Sequence, residues 1–119
     1  MIVADLAEGS KESPIGRFMT HDVASEESWQ ALPADILQHE GRIDIMVNNA
    51  GFCRDKTIFG MSDEDFDSVV RVHLRGHFVN MRNATAYWRE KAKATGSYYG
   101  RLISTSSEAM LFGSAGQPN

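Results

Sequence analysis

The chain has 119 residues, 12 Lys and Arg against 16 Asp and Glu for a net charge of -4, 42% hydrophobic residues and one cysteine, Cys53. A chain of this length buries roughly two-thirds of its unfolded surface, enough for one core, and the composition excludes collagen, low-complexity disorder and a disulfide scaffold. The mild acidity offers no field for nucleic acid, and runs such as Met1 to Ala4 and Ile43 to Val47 are too short for a membrane span or signal peptide, so the expectation is a soluble cytoplasmic protein.

The first predicted elements are two short β-rich runs, Ile2 to Asp5 and Arg17 to Thr20. Between them, Leu6 to Gly16 is a minimal crossover for parallel strands, with Gly9 and Pro14 inside it, so the first strand is expected to be weakly held. A helix is predicted from Ser25 to Glu40, with Ser25 as N-cap and Gly41 ending it. Pro33 should kink or split that helix. Ile43 to Asn48 predicts a third strand, and Arg101 to Thr105 a fourth. The brevity of all four runs suits strands buried on both faces.

The longest predicted helix runs from Ser62 to about Thr95 and stops at Gly96. Ser62 with Asp65 resembles a capping box, and Asp63, Glu64 and Asp65 put negative charge at the positive end of the helix dipole. Phe66, Val69, Val70, His73, Leu74, Phe78, Met81, Ala84 and Trp88 recur at three- and four-residue steps, which predicts one continuous buried stripe. Strands alternating with helices predict an α/β fold, a doubly wound parallel sheet with right-handed crossovers.

In such sheets ligands bind beyond the carboxyl ends of the strands. Four clusters lie there: Asp5; His21-Asp22-Val23; Asn48-Asn49-Ala50-Gly51; and Ser104-Thr105-Ser106-Ser107. Taken singly, each has a structural alternative. Asn-Asn-Ala-Gly is also a turn, Asp5 and Asp22 are also helix caps or surface charges, and Ser107 is also a cap or turn hydroxyl.

Taken together, in this order, the clusters resemble the short-chain dehydrogenase/reductase family. The resemblance is carried by Ile43 through Gly51, by Val72-His73-Leu74-Arg75-Gly76, by Gly100 through Ser107, and by Gly113 through Asn119, which is similar to the stretch before the family's catalytic Tyr. It covers nearly the whole chain. It implies a Rossmann-like sheet, incomplete here and limited to the central part of the fold.

The roles implied by the resemblance are those of an oxidoreductase that interconverts an alcohol and a carbonyl by hydride transfer. Ser107 would be the catalytic serine, its hydroxyl on the reacting oxygen. Asn49, Ala50 and Gly51 would pack beneath the cofactor, and Asp22 and Val23 would contact the adenine. Asp5 would bond the adenosine ribose and repel a 2′-phosphate, which favours NAD over NADP. The nearest cation in sequence that could offset that repulsion is Lys11. His73 occupies the place where many members carry an Asn that completes a proton relay, a task imidazole chemistry can perform, although a packed helix residue is the plainer alternative. The implied partners are a small alcohol or carbonyl substrate and further copies of the chain in a homo-oligomer, with no nucleic acid and no membrane.

The family's Gly-rich pyrophosphate loop would precede Met1, and its Tyr and Lys would follow Asn119. The expectation is therefore part of an enzyme, inactive as it stands, with a non-catalytic remnant that associates with another chain as the alternative. Three further signals carry less. His73 and His77 have zinc-compatible spacing, but Leu74-Arg75-Gly76 between them supplies no catalytic Glu. Cys53 has no identified base beside it. Tyr98 and Tyr99 precede the serine strand and fit a surface turn.

Overall fold

The structure is a computed structural model that describes residues 1–6 and 16–119. Gly9, Pro14 and Lys11, and with them most of the short first crossover, lie outside the described residues. The elements follow in the order β1 (Ile2–Asp5), β2 (Arg17–Thr20), α1 (Glu26–Glu40), β3 (Ile45–Asn48), α2 (Asp63–Val70), α3 (His77–Thr95), β4 (Arg101–Ser104) and α4 (Glu108–Phe112). A 3-10 turn, Ile58–Gly60, precedes α2, and a π-helical segment, Arg71–Gly76, joins α2 to α3.

All strand pairing among the described residues is parallel. β1 runs beside β2 with Ile2 opposite Arg17 and Asp5 opposite Thr20, and β3 runs beside β4 with Ile45 opposite Arg101 and Asn48 opposite Ser104. Among the described residues these are two separate two-stranded sheets, not one continuous sheet. The expectation of strands buried on both faces is corrected here. Ile45, Val47 and Ile103 are each more than half exposed, whereas Met46, Leu102 and Asn48 turn inward. α3 packs against one face of β3, and the period-two alternation of a strand sends Ile45 and Val47 to the other face.

α1 forms for the reasons its sequence states. Ser25 Oγ accepts from the Ser28 N–H at 3.3 Å, Glu26 and Glu27 sit in the first turn, and Gly41 closes the helix at φ 74° with its N–H donating to the Leu37 carbonyl. Pro33 does not split it: the helix runs from Glu26 to Glu40 through the proline. The lost backbone bond is outweighed by anchors on both sides, since Trp29 and Leu32 are buried and the Arg17 guanidinium of β2 pairs with Asp35 and Glu40.

The long helix starts as expected. Ser62 Oγ accepts from the Asp65 N–H at 3.2 Å and donates its own proton to the Asp65 carboxylate at 2.7 Å, with Lys56 paired to that carboxylate. The Ser62 bond first, then Lys56, holds the Asp65 carboxyl below the usual carboxylate range.

The single buried stripe is the second correction. Val69 and Ala84 are buried, but Phe66, Leu74, Phe78 and Met81 are exposed, Leu74 at 69%. A π-helical turn holds more residues than an α turn, so Arg71–Gly76 rotates the inward face out of the phase set by Val69. From its last residue onward, Gly76, Val79 and Asn80 face inward instead. Trp88 remains useful, its Nε1–H donating to the Ile43 carbonyl at 2.6 Å and its ring filling the space a side chain at Gly100 would need.

Candidate cofactor site

Each strand delivers one polar cluster at its carboxyl end, and three of these ends meet at one cavity of about 440 Å³. Asp5 from β1, Asp22 and Val23 after β2, and Asn49, Ala50 and Gly51 after β3 all line it. The volume lies within the range of small-molecule sites. All six cofactor-contact candidates are thus brought together. Ser107 and His73 lie outside its wall.

The walls are fixed by local bonds. Asp5 Oδ1 accepts from the Leu6 N–H, which turns the chain at the end of β1. Asp22 Oδ1 accepts from the Ala24 N–H at 2.7 Å, and the Asp22 N–H donates to Ser28 Oγ at 3.0 Å, so the turn after β2 is tied to α1. Trp29, 4% exposed, donates its Nε1–H to the Val23 carbonyl at 2.9 Å and meets the His21 ring edge-on at 4.4 Å.

Three further cavity residues carry no role from the resemblance: His21 and Asn48, which stand in the strand-end clusters, and Asn80, which the sequence did not single out. Each is buried, and each has one side-chain polar atom without a partner among the described residues: His21 Nε2, Asn48 Oδ1 and Asn80 Oδ1. An unpaired buried polar atom costs roughly 1–3 kcal/mol, so this floor calls for a polar occupant. A purine and a ribose, which carry both donors and acceptors, meet that demand, and the residues present fit the adenosine half of a dinucleotide. Position could have flagged Asn80, which follows His73 and Gly76 at helical steps.

Burial pushes the His21 imidazole below the usual histidine range, with hydrogen bonding at Ser28 and the Asp22 charge pulling the other way. Its Nδ1 lies 2.9 Å from Ser28 Oγ.

The serine cluster is joined to this cavity from β4. Asn48 Nδ2 donates to Ser104 Oγ at 3.2 Å, the Thr105 N–H donates to the Asn48 carbonyl, and Thr105 Oγ1 donates to Asn49 Oδ1 at 2.7 Å. Ser107 caps α4, its Oγ accepting from the Ala109 N–H at 3.2 Å, and stays exposed. Its capping reading is therefore true of the structure, and the hydroxyl also remains open to a ligand. His73 reaches back to the loop after β3, with Nε2 beside the backbone of Phe52.

The family model described as enoyl-(acyl carrier protein) reductase matches residues 2–117, nearly the whole chain. The chain belongs to the short-chain dehydrogenase/reductase family. It is 53% identical over 102 residues to the hydroxyacyl-CoA dehydrogenase ChsB1 of Mycobacterium tuberculosis, covering 82% of this chain and 32% of that protein. It is 43% identical over 95 residues to the peroxisomal multifunctional enzyme type 2 of Mus musculus, covering 80% of this chain and 12% of that protein. The crystal structure of a short-chain dehydrogenase from Mycobacterium avium superimposes with a TM-score of 0.83 at 38% identity, covering 98% of this chain and 47% of that one. The chain thus spans about a third of the length of the Mycobacterium tuberculosis relative. The α/β, Rossmann-like fold of parallel strands and a family of oxidoreductases follow directly. No helix among the described residues is long and apolar enough to cross a membrane.

Proposed function

We propose that this chain forms the adenosine-binding and serine-bearing part of an NAD-dependent dehydrogenase that interconverts a hydroxyacyl thioester and its carbonyl counterpart. The observation that carries the reading is the convergence of Asp5, Asp22, Val23, Asn49, Ala50 and Gly51 on one cavity with a polar floor. NAD, when bound, supplies the hydride acceptor. Asp5 accepts hydrogen bonds from the ribose hydroxyls and repels a 2′-phosphate, the basis for NAD over NADP. Ala50 and Gly51 present little side chain and let a flat group approach the backbone. Ser107 holds the reacting oxygen of the substrate through its hydroxyl.

The thioester substrate class rests on the relative named hydroxyacyl-CoA dehydrogenase. A homo-oligomer and a cytoplasmic location are part of the proposal. The first is supported by the exposed Leu74, Phe78 and Met81 along one helix, and the second by the single cysteine. The test is NADH formation from a hydroxyacyl-CoA by a chain of the relatives' length that carries these 119 residues. Turnover of hydroxyacyl-CoA well above that of simple alcohols supports the substrate class. Turnover of simple alcohols alone contradicts it.

A further inference from the structure

A second cavity, of about 240 Å³, opens between the start of α1 and the helix that runs on from the π-helical segment. Arg75 and Arg82 enter its wall from that helix, seven residues apart and so on one face, and Glu26 and Gln30 enter from α1 four residues apart. Asn83 adds a second amide. Among the described residues neither arginine forms an ion pair, and neither does Glu26. The Arg82 guanidinium lies 5.6 Å over the Phe78 ring, which also faces the cavity and favours a fixed placement of the charge.

Two cations against one carboxylate leave this wall positive in a chain whose net charge is -4. Guanidinium forks match the oxygens of a phosphate or a carboxylate. A phosphate monoester carries about 1.5 to 2 negative charges near pH 7, and so matches two guanidiniums where a carboxylate matches one. Glu26 would repel a bare phosphate, but it accepts from hydroxyl groups, which a polyol supplies. The two amides can donate to either part. The volume is below that of sites for drug-sized ligands, which suits a ligand of triose rather than nucleotide size.

We infer that this second cavity binds a small phosphorylated polyol, with Arg75 and Arg82 on the phosphate and Glu26 on the hydroxyl groups. It is separate from the proposed cofactor cavity, but Val23 and Trp29 line both. The Trp29 Nε1–H bond to the Val23 carbonyl runs within that shared partition. An occupant of the second cavity therefore lies against the back of the first, and the Trp29 indole N–H reports its arrival. The site needs no cofactor contact, so its failure leaves the proposed function standing.

The experiment is an NMR titration with glycerol 3-phosphate of an isotopically labelled chain of the relatives' length that carries these 119 residues, following the Trp29 indole N–H. The signal should shift saturably with glycerol 3-phosphate and stay still with glycerol. Arg75→Gln and Arg82→Gln should each weaken binding at least about tenfold. Arg89→Gln, on the same helix but outside the cavity wall, should change it less than about twofold. Wild type should prefer glycerol 3-phosphate to inorganic phosphate, and Glu26→Ala should erase that preference. No saturable shift, or equal losses in Arg89→Gln and Arg75→Gln, overturns the site. A preference that survives in Glu26→Ala overturns the polyol. Displacement of the probe by NADH assigns the phosphate to the cofactor and overturns a separate site.

Discussion

Thr105 Oγ1 donates to Asn49 Oδ1 across 56 residues of sequence, at 2.7 Å, and ties the strand end that bears the serines to the Asn-Asn-Ala-Gly turn. The bond is exposed, so its worth is that of an ordinary hydrogen bond, about 0.5–1.5 kcal/mol. Thr105→Val keeps the shape and removes the donor. It should lower unfolding free energy by that amount in a denaturant titration. The double variant with Asn49→Ala should cost less than the two single losses added, since both remove the same bond.

Trp29 is the residue on which the cavity wall depends most for stability. Trp29→Ala removes a buried indole and should cost about 3–5 kcal/mol. Trp29→Phe keeps most of the bulk but leaves the Val23 carbonyl without its donor, and should cost about 1–3 kcal/mol. Thermal unfolding of the two variants against wild type ranks them, and a Phe variant as damaging as the Ala variant would show that the hydrogen bond outweighs the packing.

His21 makes stability depend on pH. The fold holds its imidazole neutral by burial, below the ordinary value near 6.5 that the unfolded chain keeps. Below about pH 6.5 the unfolded state therefore carries more protons than the folded one. Stability should be full above that pH, fall as the pH drops, and level off once His21 protonates within the fold. The slope from this group cannot exceed about 1.4 kcal/mol per pH unit. His77, shifted the same way, adds to the effect. Chemical denaturation from pH 7.5 to 5 of wild type and His21→Gln checks this. An equal slope in both would assign the pH dependence elsewhere.

The sequence made legible what depends on local chemistry. The four strands, the Ser25 and Ser62 caps and the Gly41 and Gly96 stops all stand where residue type and spacing put them. It did not show the π-helical turn at Arg71–Gly76, because Val72, Leu74 and their neighbours suit an α-helix equally well, and that turn moved Leu74 and Phe78 away from the expected face. The exposure of Ile45 and Val47 was equally hidden, since β-branched runs look the same whether one face or two is covered. The six residues brought to one cavity were legible because the strand-end clusters contain them and the family resemblance selects Asp5, Asp22, Val23, Asn49, Ala50 and Gly51 from those clusters. Asn80 was not, and for His21 and Asn48 the residues alone showed only their place at a strand end, since a polar residue shows itself as a cavity floor only once its burial and missing partner are known.

Ser107 caps α4 three residues past the end of β4, outside the wall of the cavity, and this separation predicts a split effect. In a catalytically competent chain carrying these residues, Ser107→Ala should lower kcat by roughly two to four orders of magnitude. NADH affinity should change less than about threefold, because the hydroxyl acts on the reacting oxygen and not on the dinucleotide. Steady-state kinetics and a separate NADH titration resolve the two, and an equal loss of both would remove Ser107 from that role.

The most direct test of the cavity's assignment is a titration with NADH and NADPH, followed by nicotinamide fluorescence, of a chain of the relatives' length that carries these 119 residues, in wild type and Asp5→Ala. Asp5 lines the cavity beside Asp22, so a 2′-phosphate there meets like charge. Wild type should bind NADH at least about tenfold more tightly than NADPH, and Asp5→Ala should narrow that ratio mainly by weakening NADH. Tighter binding of NADPH by wild type, or a ratio that Asp5→Ala leaves unchanged, would contradict the placement of the adenosine ribose at the end of β1.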